Sequence, residues 1–145
     1  MSTKNGFKIL LIEPCDDTGT TLALLLEMYG CVVKIVNNFL HACASVATFQ
    51  PDVILTELAS VEDMNIAERL KQILQDRNAQ VIALTSWYWV GIEDNLLEAG
   101  FMQYMLKPAP LDCLVEILTS LAALRGYSLK KPRDKEFPGF LSLAV

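Results

Sequence analysis

Phe7-Lys8-Ile9-Leu10-Leu11-Ile12 is apolar except at Lys8, shows no helical period, and stops at Glu13-Pro14. Two similar runs follow, Val53-Ile54-Leu55-Thr56 and Val81-Ile82-Ala83-Leu84-Thr85. A strand with one wet face alternates polar and apolar residues. These do not, so they read as strands buried on both faces, the mark of a parallel sheet covered by helices.

The segments between them carry helical spacing. Leu22, Leu25, Leu26 and Tyr29 follow Asp17, which reads as an N-cap, and Gly30 reads as the stop. The β-branched run Val32–Val36 predicts a strand. Phe39–Phe49 predicts a helix that ends before Gln50-Pro51, because a residue preceding proline avoids the helical region. Glu62–Gln75 places Ile66, Leu70, Ile73 and Leu74 on one helical face. Ile92–Ala99 is a short helix closed by Gly100, Phe101–Leu106 a fifth strand, and Leu111–Leu124 a helix with Leu114, Ile117, Leu118 and Leu121 inward. The expectation is five βα units with right-handed crossovers, hence an α/β, doubly wound parallel sheet. Chemistry in such folds sits beyond the carboxyl ends of the strands. That selects Glu13-Pro14, Glu57, Thr85-Ser86 and Lys107-Pro108.

The chain has 145 residues, 52% hydrophobic and 20% charged, enough for one domain with a sizeable core. No apolar run approaches the roughly 18 residues of a membrane span, and Ile9–Ile12 is too short for a secretory signal. Residues 1–125 hold 8 Lys/Arg against 15 Asp/Glu, net −7, while residues 126–145 hold 4 against 2, net +2. The division expected is a domain over 1–125 and a tail or linker over 126–145, whose apolar end Phe137–Val145 could dock on the domain or on a partner. An acidic body argues against nucleic-acid binding by the domain itself. Cys15, Cys31, Cys43 and Cys113 lack metal-ligand spacing and, with His41 the sole histidine, predict no zinc site. They read as reduced, mostly buried thiols of a cytoplasmic protein.

In combination these residues resemble the receiver domain of bacterial response regulators, the CheY-like, flavodoxin-like fold, over about residues 7–124. Acidic residues end the family's first strand, where Glu13-Pro14 stand here. A phosphoacceptor aspartate ends the third, after a Pro-Asp start; here Pro51-Asp52 leads to Glu57. A hydroxyl residue closes the fourth, here Thr85 with Ser86 behind it. Lysine-proline follows the fifth, with an aromatic residue three positions earlier; here Tyr104 precedes Lys107-Pro108. The resemblance implies strand order 2-1-3-4-5 and a role in two-component signal transduction or a phosphorelay. It also implies a partner or self-association face on helix 4, strand 5 and helix 5.

The departures fall on the decisive positions. Glu57 occupies the nucleophile's place, Pro14 that of the second magnesium-holding acid, and Val61 and Asn65 the places of a proline and a glycine. One extra methylene carries a carboxylate about 1.3–1.5 Å further, and about 1 Å of misplacement costs on the order of 100-fold in rate. Mg²⁺ tolerates poor geometry badly. With Glu13, Glu57 and Lys107 the pocket sums to −1 where the family has −2, and a direct Glu57–Lys107 pair could close it. The expectation is a pseudo-receiver: no catalysis, no cofactor, doubtful Mg²⁺ binding, and a constitutive docking or dimerisation role. Glu57 as a fixed stand-in for the phosphorylated state, drawing Thr85 and Tyr104 inward, is the lesser version.

Trp87-Tyr88-Trp89, expected at the start of the fourth helix, is a candidate partner surface and a possible shield for Glu57. Asp17-Thr18-Gly19-Thr20-Thr21 is similar to the phosphate loop of flavodoxins, which keeps a flavin-binding redox protein as an alternative. A receiver with weak or atypical phosphorylation is another. His41, Asp16 and Asp52 read as ordinary structural or solvated residues, and Lys130, Lys131, Arg133 and Lys135 as a solvated basic cluster.

Overall fold

A computed structural model describes residues 6–59, 61–75 and 78–132. In chain order the elements are β1 (Phe7–Ile12), α1 (Asp16–Met28), β2 (Cys31–Val36), α2 (Phe39–Phe49), β3 (Val53–Glu57), a 3-10 turn (Val61–Asn65), α3 (Ile66–Leu74), β4 (Gln80–Thr85), α4 (Ile92–Glu98), β5 (Gln103–Leu106) and α5 (Leu111–Leu124). The five strands form one sheet in the order β2-β1-β3-β4-β5, and every pairing is parallel. The order reverses direction between β1 and β3, which opens a crevice at their carboxyl ends.

Lack of alternation in the central strands has the expected consequence: each face of the sheet holds its own core. Leu10, Ile12, Ile54, Val81 and Ala83 point to the side covered by α2, α3 and α4, meeting Ala42, Val46, Leu70 and Leu96. Phe7, Ile9, Leu11, Leu55 and Leu84 point to the other side, where α1 and α5 contribute Leu22, Leu26, Leu114 and Leu118. Burying a side chain of this kind fully is worth about 1.5–3 kcal/mol, so the two apolar layers fix which face of each strand meets which helices.

Several local expectations change. Asp17 is not the cap of α1: the helix begins at Asp16 after Cys15, and no side chain caps it. Asp16 and Asp17 lie in the first turn, where negative charge favours the helix dipole, and Asp16 also accepts a hydrogen bond from Asn37 Nδ2 at 2.5 Å. Gly30 does stop the helix, at φ +95°, a conformation that costs an L residue a Cβ clash. The helix expected over Glu62–Gln75 is a 3-10 turn followed by a shorter α3, on which Ile73 is exposed. β5 starts at Gln103, two residues later than expected. Trp87-Tyr88-Trp89 lies in the loop before α4, whose first residue is Ile92. Of the four thiols only Cys31 is buried; Cys15 and Cys113 are exposed and Cys43 is partly covered. His41 is exposed near the start of α2 and donates its backbone N–H to the Asn38 side chain.

Beyond α5 the backbone turns back along the domain. The Tyr127 ring tilts against Phe7 at 5.8 Å, Leu129 joins the α1–α5 core, and Lys130 N donates to the Tyr29 carbonyl at 2.9 Å. Docking of Phe137–Val145 lies outside the described residues. Among the described residues no helix is long and apolar enough to cross a membrane.

Candidate functional site: a closed pocket at the strand ends

Four connections place the candidate residues. β1 runs into Glu13, whose backbone N donates to the Val36 carbonyl. β3 ends on Glu57 itself, opposite Leu84 of β4. β4 ends on Thr85, and the loop after β5 begins with Lys107, whose N donates to the Thr85 carbonyl at 2.7 Å. Parallel pairing sends all four ends to the same edge of the sheet, so residues separated by as many as 94 positions meet.

They meet around the lysine. Lys107 Nζ stands 2.5 Å from Glu57 Oε2 and 3.4 Å from Glu13 Oε1. The lysine side chain is 19% exposed and that of Glu57 17%. The Glu57 contact is a charge pair: its buried Oε2 faces the ammonium outside hydrogen-bonding angles. Glu13 accepts a hydrogen bond from Lys107 at Oε1 and another from the Cys15 backbone N at Oε2, 3.2 Å. Burial pulls the lysine's pKa down, but the Glu57 and Glu13 carboxylates outweigh it and the net shift is upward from 10.5. Both acids of the pocket are therefore engaged by one ammonium, which stays charged through the neutral range. Pro14 is exposed and offers no side-chain oxygen. The Lys107-Pro108 bond is cis.

The hydroxyl and the aromatic residue face elsewhere. Thr85 is fully buried, and its Oγ1 accepts from Trp87 N at 3.0 Å and lies 3.4 Å from the Trp87 carbonyl oxygen, a turn-forming use of the group. Ser86 is exposed. Tyr104 is half-buried, and its phenol donates to Glu93 Oε1 on α4 at 2.9 Å. That bond to a carboxylate raises the phenol's pKa above 10. Sequence reasoning missed Glu93, Asn95 and Cys15. None carries a local signal, because each acts through a contact set by chain packing or by backbone geometry. Asp52 lies at the opposite edge of the sheet, where it binds Lys8 N at 2.8 Å and Arg125 at 3.0 Å. The stretch read as a flavin phosphate loop is the first turns of α1. Gly19 there is buried, and an added Cβ would meet Ile35 Cγ2 at 3.2 Å, so its missing side chain serves the packing of α1 on β2.

The family model described as the response regulator receiver domain matches residues 9–119. The chain belongs to the response regulator receiver family. It is 28% identical over 118 residues to the probable transcriptional regulator ycf29 of Guillardia theta, a match covering 81% of this chain and 53% of that protein. The chain thus spans about half the length of the curated relative it matches. Among solved structures it is similar to a two-component response regulator from Clostridium difficile, at TM-score 0.74 and 19% identity, covering 83% of this chain and 99% of that one. It is also similar to the BeF3-activated N-terminal receiver domain of Klebsiella pneumoniae RstA, at TM-score 0.67 and 25% identity, covering 77% and 94%. The family is that of the receiver domains of response regulators.

Proposed function

We propose that this receiver domain works without phosphorylation, as a constitutive docking or dimerisation module in two-component-type signalling. The observation that carries the reading is the Lys107 ammonium held between Glu57 and Glu13. To meet a phosphoryl oxygen a receiver's lysine must leave its carboxylate partners, and to hold a cation the acids must give up the lysine. Here the cation's place between the acids is taken by the protein's own ammonium. The donor set does not suit Mg²⁺, which demands near-octahedral oxygen ligands: both carboxylates face one ammonium, which leaves the pocket a net −1, and the third position is Pro14. The Glu57 carboxylate is planar with two oxygens, and Tyr104 is tied outward to Glu93. Both features favour constitutive docking over mimicry of a phosphorylated state. The proposed contact face runs along α4, β5 and α5, where Leu97 and Leu106 are exposed.

The test is incubation with acetyl phosphate and MgCl₂, followed by intact mass. The reading expects no phosphoryl adduct, and no Mg²⁺-dependent change in tryptophan emission. A stoichiometric adduct on Glu57 would establish a receiver with atypical phosphorylation instead.

A further inference from the structure

Both tryptophans of the chain stand at one place. Trp87 and Trp89 have ring centroids 4.7 Å apart and planes tilted by 48°. They wall an open cleft of about 500 Å³ between the β4–α4 loop, α4 and the 3-10 turn before α3, completed by Met64, Asn95, Glu98 and Ala99. Trp89 is anchored: its Nε1 donates to Asn95 Oδ1 at 2.8 Å, and its ring packs on the α2–α3–α4 core. Trp87 leans on it and remains 37% exposed.

The charged wall of the cleft is Glu98, exposed on the last turn of α4. Among the described residues no lysine or arginine forms an ion pair with it. Lys71, on α3, donates to the Gly100 carbonyl instead. An indole face carries a negative quadrupole, and a carboxylate beside it adds a full charge. A cation that touches both gains from each, while an anion is repelled. A neutral apolar occupant would use the rings and leave the carboxylate to be desolvated for nothing.

We infer that this cleft receives an arginine side chain from a basic segment of a partner protein, its guanidinium lying on Trp87 and facing Glu98. Arginine fits better than lysine because its planar head stacks on an indole while its edge donates to a carboxylate. An open cleft suits a side chain presented from another surface, whereas small ligands favour sites that enclose them. The chain's own Lys130 and Lys131 lie on the α1–α5 side of the sheet, away from α4. Glu57 takes no part, so this inference and the phosphorylation-independent reading stand or fall separately.

Both tryptophans of the chain wall this cleft, so emission is a direct readout of an occupant there. The probe is acetyl-Gly-Arg-Gly-amide, with citrulline in place of arginine as the neutral control. The arginine peptide is expected to give a saturable emission change, with the citrulline peptide on the order of fivefold weaker. Glu98→Gln, an exposed substitution whose folding is checked by an unchanged urea midpoint, should weaken the arginine peptide and narrow its advantage to what the Trp87 face alone supplies. Equal titration by both peptides in the unaltered protein overturns the inference. So does the absence of any saturable change, or an arginine response that Glu98→Gln leaves intact.

Discussion

Replacing Lys107 with methionine removes the charge at the centre of the pocket and keeps most of the stem. Glu57 and Glu13 are then left facing each other without a cation, at positions set by β3 and β1. At an effective dielectric near 20, unit charges at the observed separations of 2.5 and 3.4 Å attract by roughly 5–7 kcal/mol each before desolvation is counted. Desolvation of three ions offsets much of that, so the net quantity is the cost of breaking the set. Removing one partner of a buried pair costs about 3–5 kcal/mol, and the residual exposure here, 19% and 17%, sets the expectation for Lys107→Met near the lower end, about 3 kcal/mol. Glu57→Gln should cost less, about 1–2 kcal/mol, because Lys107 keeps Glu13 and some water. The double variant should be less destabilised than the sum of the singles by about 1–2 kcal/mol. Urea denaturation at pH 7 of all four proteins, with m-values compared, measures each term. A coupling below about 0.5 kcal/mol, the value of an ordinary surface pair, would refute the claim that the lysine is committed to Glu57. Equal costs for the two single substitutions would refute its place between two acids.

Three further outcomes follow from the same contacts. Lys107 has a folded pKa raised above 10.5, so its stabilisation is present below that pH and is lost as pH climbs through the folded value; urea midpoints of the parent and Lys107→Met proteins should converge above about pH 10.5, and a constant gap would contradict the pairing. Asp52→Ala strips partners from Lys8 N and Arg125 and should cost about 2 kcal/mol by urea titration, with no effect on pocket chemistry. Alkylation by iodoacetamide at pH 8, followed by peptide mass, should modify Cys15 well before Cys31. The Thr18 hydroxyl lowers the exposed Cys15 thiol, whereas burial pushes Cys31 up to about 11.

The fold was legible because its decisive signal is local. A run such as VIALT, apolar at every position but the last, can be buried only between two helical layers, and the spacing of Leu114 and Leu118 needs no neighbour to be read. Phe39–Phe49 and Leu111–Leu124 match to the residue for this reason. The misreadings arose where a backbone choice depended on tertiary contacts. Asp17 is a good cap chemically, yet Asp16 is already helical and hydrogen-bonded to Asn37 across the loop after β2. Trp87-Tyr88-Trp89 has no helix breaker, but the Thr85 hydroxyl captures the Trp87 N–H and holds the chain in a turn. Cysteine type alone suggested burial, while the N-terminal position of Cys15 on α1 leaves it in water.

The pocket was legible to a different depth. That Glu57, Glu13 and Lys107 share one edge follows from parallel strands alone, since every strand delivers its carboxyl end to the same side. Which carboxylate takes the lysine, and how closely, is a matter of side-chain length. Glu57 closes to 2.5 Å while Glu13 stays at 3.4 Å, held back by its bond to Cys15 N. The extra methylene of Glu57 thus brings its charge against the ammonium. An aspartate at position 57 would stand about 1.3–1.5 Å shorter, so the substitution that restores the family's residue there should loosen the lysine. Glu57→Asp tests that linkage in a single protein: the Lys107 pair should weaken and the urea midpoint should fall below the parent's. A midpoint that holds or rises would mean that length at position 57 does not set the closure of the pocket.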